Sequence, residues 1–192
     1  MKKNILIDIL RSPSTVFTFK EILIASGESN PAQLKRRLHY YVQKKQLHPI
    51  RRGIYAKDKN YNRFEFATKI YTPSYISFET VLAQAGVVFQ YNKTIFAASY
   101  KNTEITCDNQ TYSFKKLKDE ILTNTAGIKN RGNYFFASPE RAFLDIVYLN
   151  KEYHFDNISL LDREKIQSLL PLYHNKRMIK SVQQYFDALN ME

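Results

Sequence analysis

The sequence predicts an α+β protein: an N-terminal winged helix-turn-helix, then a mixed α+β domain finished by C-terminal helices. Three observations carry this. Short helical patterns joined by a glycine-containing connector lead into a basic-tipped pair of apolar runs. Strand-like runs then crowd the middle of the chain. Beyond them, capped helical periodicity returns.

The first element, Asn4 to Arg11 (NILIDILR), offers Ile5, Leu6, Ile9 and Leu10 to close a small core. Thr18 to Ser26 (TFKEILIAS) predicts a second helix, with Phe19, Ile22, Leu23 and Ala25 for packing. Gly27 ends it, and Glu28-Ser29 lead on. Asn30 to Lys45 (NPAQLKRRLHYYVQKK) predicts a third, because Asn30 can cap it and Pro31 suits a first turn in which a missing N–H costs nothing. At 100° per residue, Leu34, Leu38, Tyr41 and Val42 share one stripe. The opposite side carries Gln33, Arg36, Tyr40 and Gln43, with Arg37, His39 and Lys44 at its borders. Leu47 to Ile50 and Ile54 to Ala56 flank Arg51-Arg52-Gly53 and read as a hairpin turning on glycine. Two helices around a short turn, followed by a basic-tipped hairpin, make a winged helix.

Around Lys57 to Asn62 the composition turns from basic to mixed. The expected division is a DNA-binding domain over residues 1–59 and an α+β domain over 60–192. Arg63 to Tyr71 reads as a helix ending before Pro73. Tyr75 to Ser77 follows as a strand, with Ser77 capping a helix from Phe78 to Ala85 and Gly86 just past its end. Strands are expected over Thr94 to Ala98, Glu104 to Cys107, Thr111 to Phe114, Glu120 to Thr123 and Tyr134 to Ala137, with a hairpin turn at Asp108-Asn109-Gln110. Ser138-Pro139-Glu140 opens a strong helix to Leu149, and two more cover about Asp162 to Leu170 and Lys176 to Leu189.

Charge sharpens the division. The chain carries a formal +11. Residues 1–59 hold thirteen Lys and Arg against four acids, a net +9, so the remainder carries only +2. An anionic partner is expected for the first third. The single cysteine, Cys107, excludes an internal disulfide and fits a reducing cytoplasm. The short run ILIDIL is interrupted by Asp8 and lacks a small-residue cleavage site, so no signal peptide is expected there. No window is long and apolar enough to cross a membrane.

Catalysis finds no support. The four histidines are scattered without zinc-ligand spacing, and the five glycines form neither a dinucleotide fingerprint nor a Walker loop. Glu140 is explained by the helix dipole, and Arg141 with Asp145 by an i,i+4 ion pair. No enzyme activity, cofactor or metal is expected. The runs Lys115-Lys116-Leu117-Lys118 and Lys129-Asn130-Arg131 read as solvated loops or as a second nucleic-acid contact.

FTFKEILIASG, LKRRLHYYVQKKQL, IRRGIYA, PSYISFETVLAQAG and YFFASPERAFLDIVYL, in this order, resemble the AbiEi antitoxin family of abortive-infection (type IV) toxin-antitoxin systems. The resemblance extends to about Asn150. Its specificity lies in the combination of the IRRGIYA, SYISFETVL and ASPERAFLD blocks. It implies a winged-helix domain that binds operator DNA and represses its own operon. It also implies a second domain that helps neutralise a nucleotidyltransferase-type toxin encoded by the neighbouring gene. Operator reading would fall on Gln33, Arg36, Arg37 and Tyr40, and the wing role on Arg51 and Arg52.

The residues support that chemistry independently. A recognition helix in the major groove brings Arg36 and Arg37 to guanine O6 and N7 and Gln33 to an adenine edge, and each bidentate pair supplies roughly 1–3 kcal/mol of discrimination. Lys35, Lys44, Lys45, Arg51 and Arg52 suit phosphate contacts. Tyr40 admits two readings, boundary packing or a DNA contact. An operator with two half-sites requires a dimer, whose interface the sequence does not locate. Two other readings stand beside the antitoxin: an autonomous winged-helix regulator with a ligand-sensing C-terminal domain, and a DNA-processing enzyme.

Overall fold

A computed structural model describes residues 5–89 and 93–189; the expected helix start at Asn4 lies outside them. The first part runs α1 (Ile5–Arg11), β1 (Val16–Thr18), α2 (Phe19–Ser26), α3 (Pro31–Gln43), β2 (His48–Arg51) and β3 (Ile54–Ala56). Its three strands pair antiparallel in the order β1-β3-β2. The second part continues with α4 (Arg63–Ile70), β4 (Ser74–Ile76), α5 (Glu79–Gln84), β5 (Ile95–Ser99), β6 (Thr103–Cys107), β7 (Gln110–Lys116) and α6 (Asp119–Leu122). β8 (Ile128–Asn130), β9 (Phe135–Ala137), α7 (Pro139–Leu149), α8 (Arg163–Leu169) and α9 (Lys176–Leu189) complete it, with short 3₁₀ turns on either side of α8. Among the described residues the second sheet has the order β6-β7-β5-β4-β9-β8. It is mixed, with β5–β7 and β4–β9 parallel and the other pairs antiparallel. The architecture is thus α+β.

Two cores meet at the small sheet. Ile5, Ile9, Phe17, Ile22, Leu34, Leu38 and Leu47 close beneath α1, α2 and α3. Val16, Ile54 and Ala56 instead join the larger core with Phe66, Tyr112, Phe143 and their neighbours. Successive strand residues point to opposite faces, so β1 gives Phe17 to one core and Val16 to the other. The connection between the parts is pinned accordingly. Glu65 Oε2 accepts from the Thr15 N–H at 2.8 Å and from its hydroxyl at 2.7 Å, while the Asn62 N–H donates to Thr15 Oγ1 at 2.9 Å.

Several sequence expectations shift. Glu120 to Thr123 is not a strand: Asp119–Leu122 forms the short helix α6, whose adjacent Ile121 and Leu122 are both buried while two acids sit in the first turn. Ser77 does not cap α5. That position belongs to Phe78, and the Ser77 hydroxyl donates instead to Asp145 Oδ2 at 2.7 Å. Val16–Thr18 and Ile128–Asn130 are strands that the sequence reading omitted. Ser138 caps α7 as expected, accepting from the Arg141 N–H at 3.2 Å.

α7 is the buried spine of the second part. Arg141 and Asp145 form the expected pair at 3.4 Å, but both are fully buried. Asp145 also accepts from Tyr75, Ser77 and Tyr173 at 2.6–3.0 Å, and Arg141 donates to the carbonyls of Ala126 and Ile121. Burial opposes both charges and pushes the Asp145 carboxyl up from its ordinary range; Arg141 and the three hydroxyls pull the other way.

Candidate nucleic-acid interface

The geometry begins with the caps. Thr18 and Glu21 form a capping box that starts α2 directly from β1, each side chain bonding the other's backbone N–H. Gly27 ends α2 in the left-handed conformation at φ 64°, which only a residue without a Cβ adopts freely. Three residues later Asn30 caps α3, accepting from the N–H groups of Ala32 and Gln33 at 3.0 and 3.3 Å. Glu28 stitches the turn between them. One of its carboxylate oxygens accepts from the Asn30 N–H at 3.3 Å and the other from Arg37 at 3.2 Å.

On α3, Leu34 and Leu38 are fully buried and anchor the helix. Gln33, Lys35, Arg36, His39, Tyr40, Gln43 and Lys44 are exposed, and Arg36 makes no ion pair or hydrogen bond with the described residues. Arg37 differs, being half-buried and turned towards Glu28. A pair of this kind holds with at most about 1 kcal/mol, so a phosphate or base edge can compete for it. Tyr40 is 55 % exposed, stands edge-on to Tyr41 and carries the Lys44 ammonium 5.8 Å from its ring centre. Lys45 leaves the helix at φ 56°.

The β2–β3 hairpin lies beside the start of α2. Gly53 takes φ 77° at its tip, and its carbonyl accepts from the Phe19 N–H at 2.7 Å. Arg51 and Arg52 are exposed there. The Lys35 ammonium reaches back to 5.6 Å from the Phe19 ring centre, so the hairpin tip, the N-terminus of α2 and α3 converge around Phe19. Lys20, absent from the sequence-based set, is exposed one residue beyond that tie. Its signal was the capping-box spacing, which fixes the N-terminus of α2.

The other end of the hairpin touches the second part. The type I′-like turn Asp108-Asn109, at φ 47° and 59°, presents Asp108 to His48 and to the Tyr61 hydroxyl, each 3.0 Å from Oδ2, with Arg63 at 3.8 Å. The hydrogen bond from His48 holds the Asp108 carboxyl below its ordinary value against opposing desolvation, with Tyr61 and Arg63 adding to it.

The remaining basic runs are partly committed. Lys115 lies 5.9 Å from the Phe96 ring centre and Arg131 3.9 Å from that of Phe136, whereas Lys116, Lys118 and Lys129 are exposed. Burial pushes the Cys107 thiol up, away from thiolate chemistry. Among the described residues no group of three or more His, Cys, Asp or Glu is placed to hold a metal ion, and no helix is long and apolar enough to cross a membrane. Compared with models of known protein families and with curated proteins, the chain matches none.

Proposed function

We propose that this chain is the antitoxin and autorepressor of an abortive-infection operon of the AbiEi type, acting in the cytoplasm. Residues 1–59 serve as a winged helix-turn-helix and residues 60–192 as the antitoxin domain. The observation that carries the DNA reading is the pairing of a rigidly capped, exposed α3 with a basic hairpin tip tied to the start of α2. The order α1-β1-α2-α3-β2-β3 supports the same assignment. In this reading α3 enters the major groove, where Arg36 and Gln33 address base edges and Arg37 is recruited from Glu28. Lys20, Lys35, Lys44, Arg51 and Arg52 hold phosphates. With about six phosphates neutralised per protomer, log K falls against log salt with a slope near about −5.

Neutralisation of a nucleotidyltransferase-type toxin rests on the family resemblance. The test is a variant with Arg36 and Arg37 both replaced by alanine. Both lie off the buried stripe, so folding is expected to survive. Operator binding is expected to vanish while protection from the toxin persists; simultaneous loss of both in a folded variant contradicts the division of labour.

A further inference from the structure

Between α4, α5, β5 and the residues leading into β9 lies a groove of about 660 Å³, lined among others by Arg63, Phe64, Gln84, Lys93, Phe96 and Tyr134. That size falls within the roughly 300–1,000 Å³ of small-molecule sites. Phe64 packs against Tyr134 with ring centres 5.6 Å apart, and both rings remain half-exposed along with Phe96. Lys93 and Gln84 are exposed at the groove. Across it, Thr80 accepts the Phe96 N–H at 2.7 Å, which ties α5 to β5. We propose that this groove binds a nucleoside monophosphate, with the base against the aromatic side chains and the phosphate at Lys93 and Arg63.

The mixture of groups selects that chemistry. Aromatic walls favour a planar ring, since base–aromatic stacking is worth roughly 1–3 kcal/mol. Two cations call for an anion, and an Arg fork matches phosphate oxygens. Gln84 offers an amide to the polar edge of a base. A fatty acid satisfies the apolar wall and the cations but leaves the Gln84 amide unused.

Arg63 gives the site a connection. Its guanidinium lies 4.3 Å from the Tyr61 ring centre, bonds the Tyr61 hydroxyl and stands 3.8 Å from Asp108, which accepts from His48 on β2. A phosphate at Arg63 competes with Asp108 for the same cation, so occupancy reaches the β2–β3 hairpin. The site itself does not depend on the DNA-binding reading.

The test is a nitrogen-15 NMR titration of the full chain with adenosine, guanosine, cytidine and uridine 5′-monophosphates, with the nucleosides and inorganic phosphate as controls. At least one monophosphate is expected to give saturable shifts at Gln84 and Ile95–Phe96, with accompanying shifts at His48 and Asp108. Nucleoside or phosphate alone should bind at least tenfold more weakly. Lys93→Ala, at an exposed position that leaves the fold intact, should weaken the monophosphate about tenfold. No saturable shift at millimolar monophosphate, or phosphate alone binding as tightly, overturns the proposal. So does affinity unchanged by both Lys93→Ala and Gln84→Ala.

Discussion

α3 and α7 are both capped by a short polar side chain, both begin with proline and both carry arginine, yet they use charge in opposite ways. On α7, Arg141 and Asp145 are fully buried, and the pair is enclosed by three hydroxyls and two carbonyls. On α3, Arg36 is exposed and has no partner among the described residues. A cation whose hydrogen bonds are all made inside the fold has none to offer a ligand; one left in water can give all of them. Charge on α7 therefore specifies packing, and charge on α3 is available for recognition. Arg37 lies between these extremes, held by Glu28 in a pair weak enough to be exchanged.

The largest effect expected from this contrast is at Asp145. Its replacement by alanine leaves the Arg141 charge buried without its carboxylate, which costs about 3–5 kcal/mol. Denaturant unfolding should register that loss; a change below about 1 kcal/mol would mean that Arg141 finds another partner or water. Arg36→Ala should leave the unfolding midpoint unchanged and cost about 1–3 kcal/mol of operator discrimination, read as the ratio of affinities for cognate and scrambled duplexes. Equal weakening on both duplexes would instead assign Arg36 to a phosphate. Smaller still is Glu28→Gln, which breaks the Arg37 pair but keeps an acceptor for the Asn30 N–H. It should lower stability by no more than about 1 kcal/mol and tighten DNA binding by freeing Arg37. Weaker binding would show that Glu28 orients Arg37 for the complex.

Acid should divide the molecule along the same line. The Asp108 carboxyl is lowered chiefly by His48. Glu21 is lowered as well: burial raises it most, but the Thr18 N–H and Lys69 together outweigh that. A depressed carboxyl contributes stability that is complete above its unfolded pKa, about 4, and is lost as pH falls through the folded value. Below about pH 4, hydrogen-exchange protection around β2 and the Asp108 turn should fall while α7 keeps its own. Equal loss in both places would show that the two parts open as one unit.

What the sequence made legible follows the range of the interactions. α3 was readable because Asn30, Pro31, Leu34 and Leu38 act within one helix, and Ser138 with Pro139 announced α7 in the same way. The hairpin at Gly53 and the turn at Asp108 were readable because left-handed conformations favour glycine, aspartate and asparagine. The i,i+4 spacing of Arg141 and Asp145 was visible, but not their burial, which depends on Tyr75 and Tyr173 arriving from elsewhere. Ser77 misled because serine before an apolar run suits a cap as well as a buried donor. Asp119–Leu122 was too short for periodicity to separate a helical turn from a strand. In the candidate interface the exposed residues of α3 were legible. Arg37 bound to Glu28 nine residues away, and His48 bound to Asp108 sixty residues away, were not.

The most direct test of the account is a salt-titrated binding assay of the full chain against the DNA upstream of its own reading frame and a scrambled duplex of equal length. The expected result is a discrete complex with the upstream DNA alone, with affinity falling at a log–log slope near about −5. Equal binding to both duplexes, lost steeply as salt rises, would reduce the basic third to an electrostatic clamp and contradict the repressor.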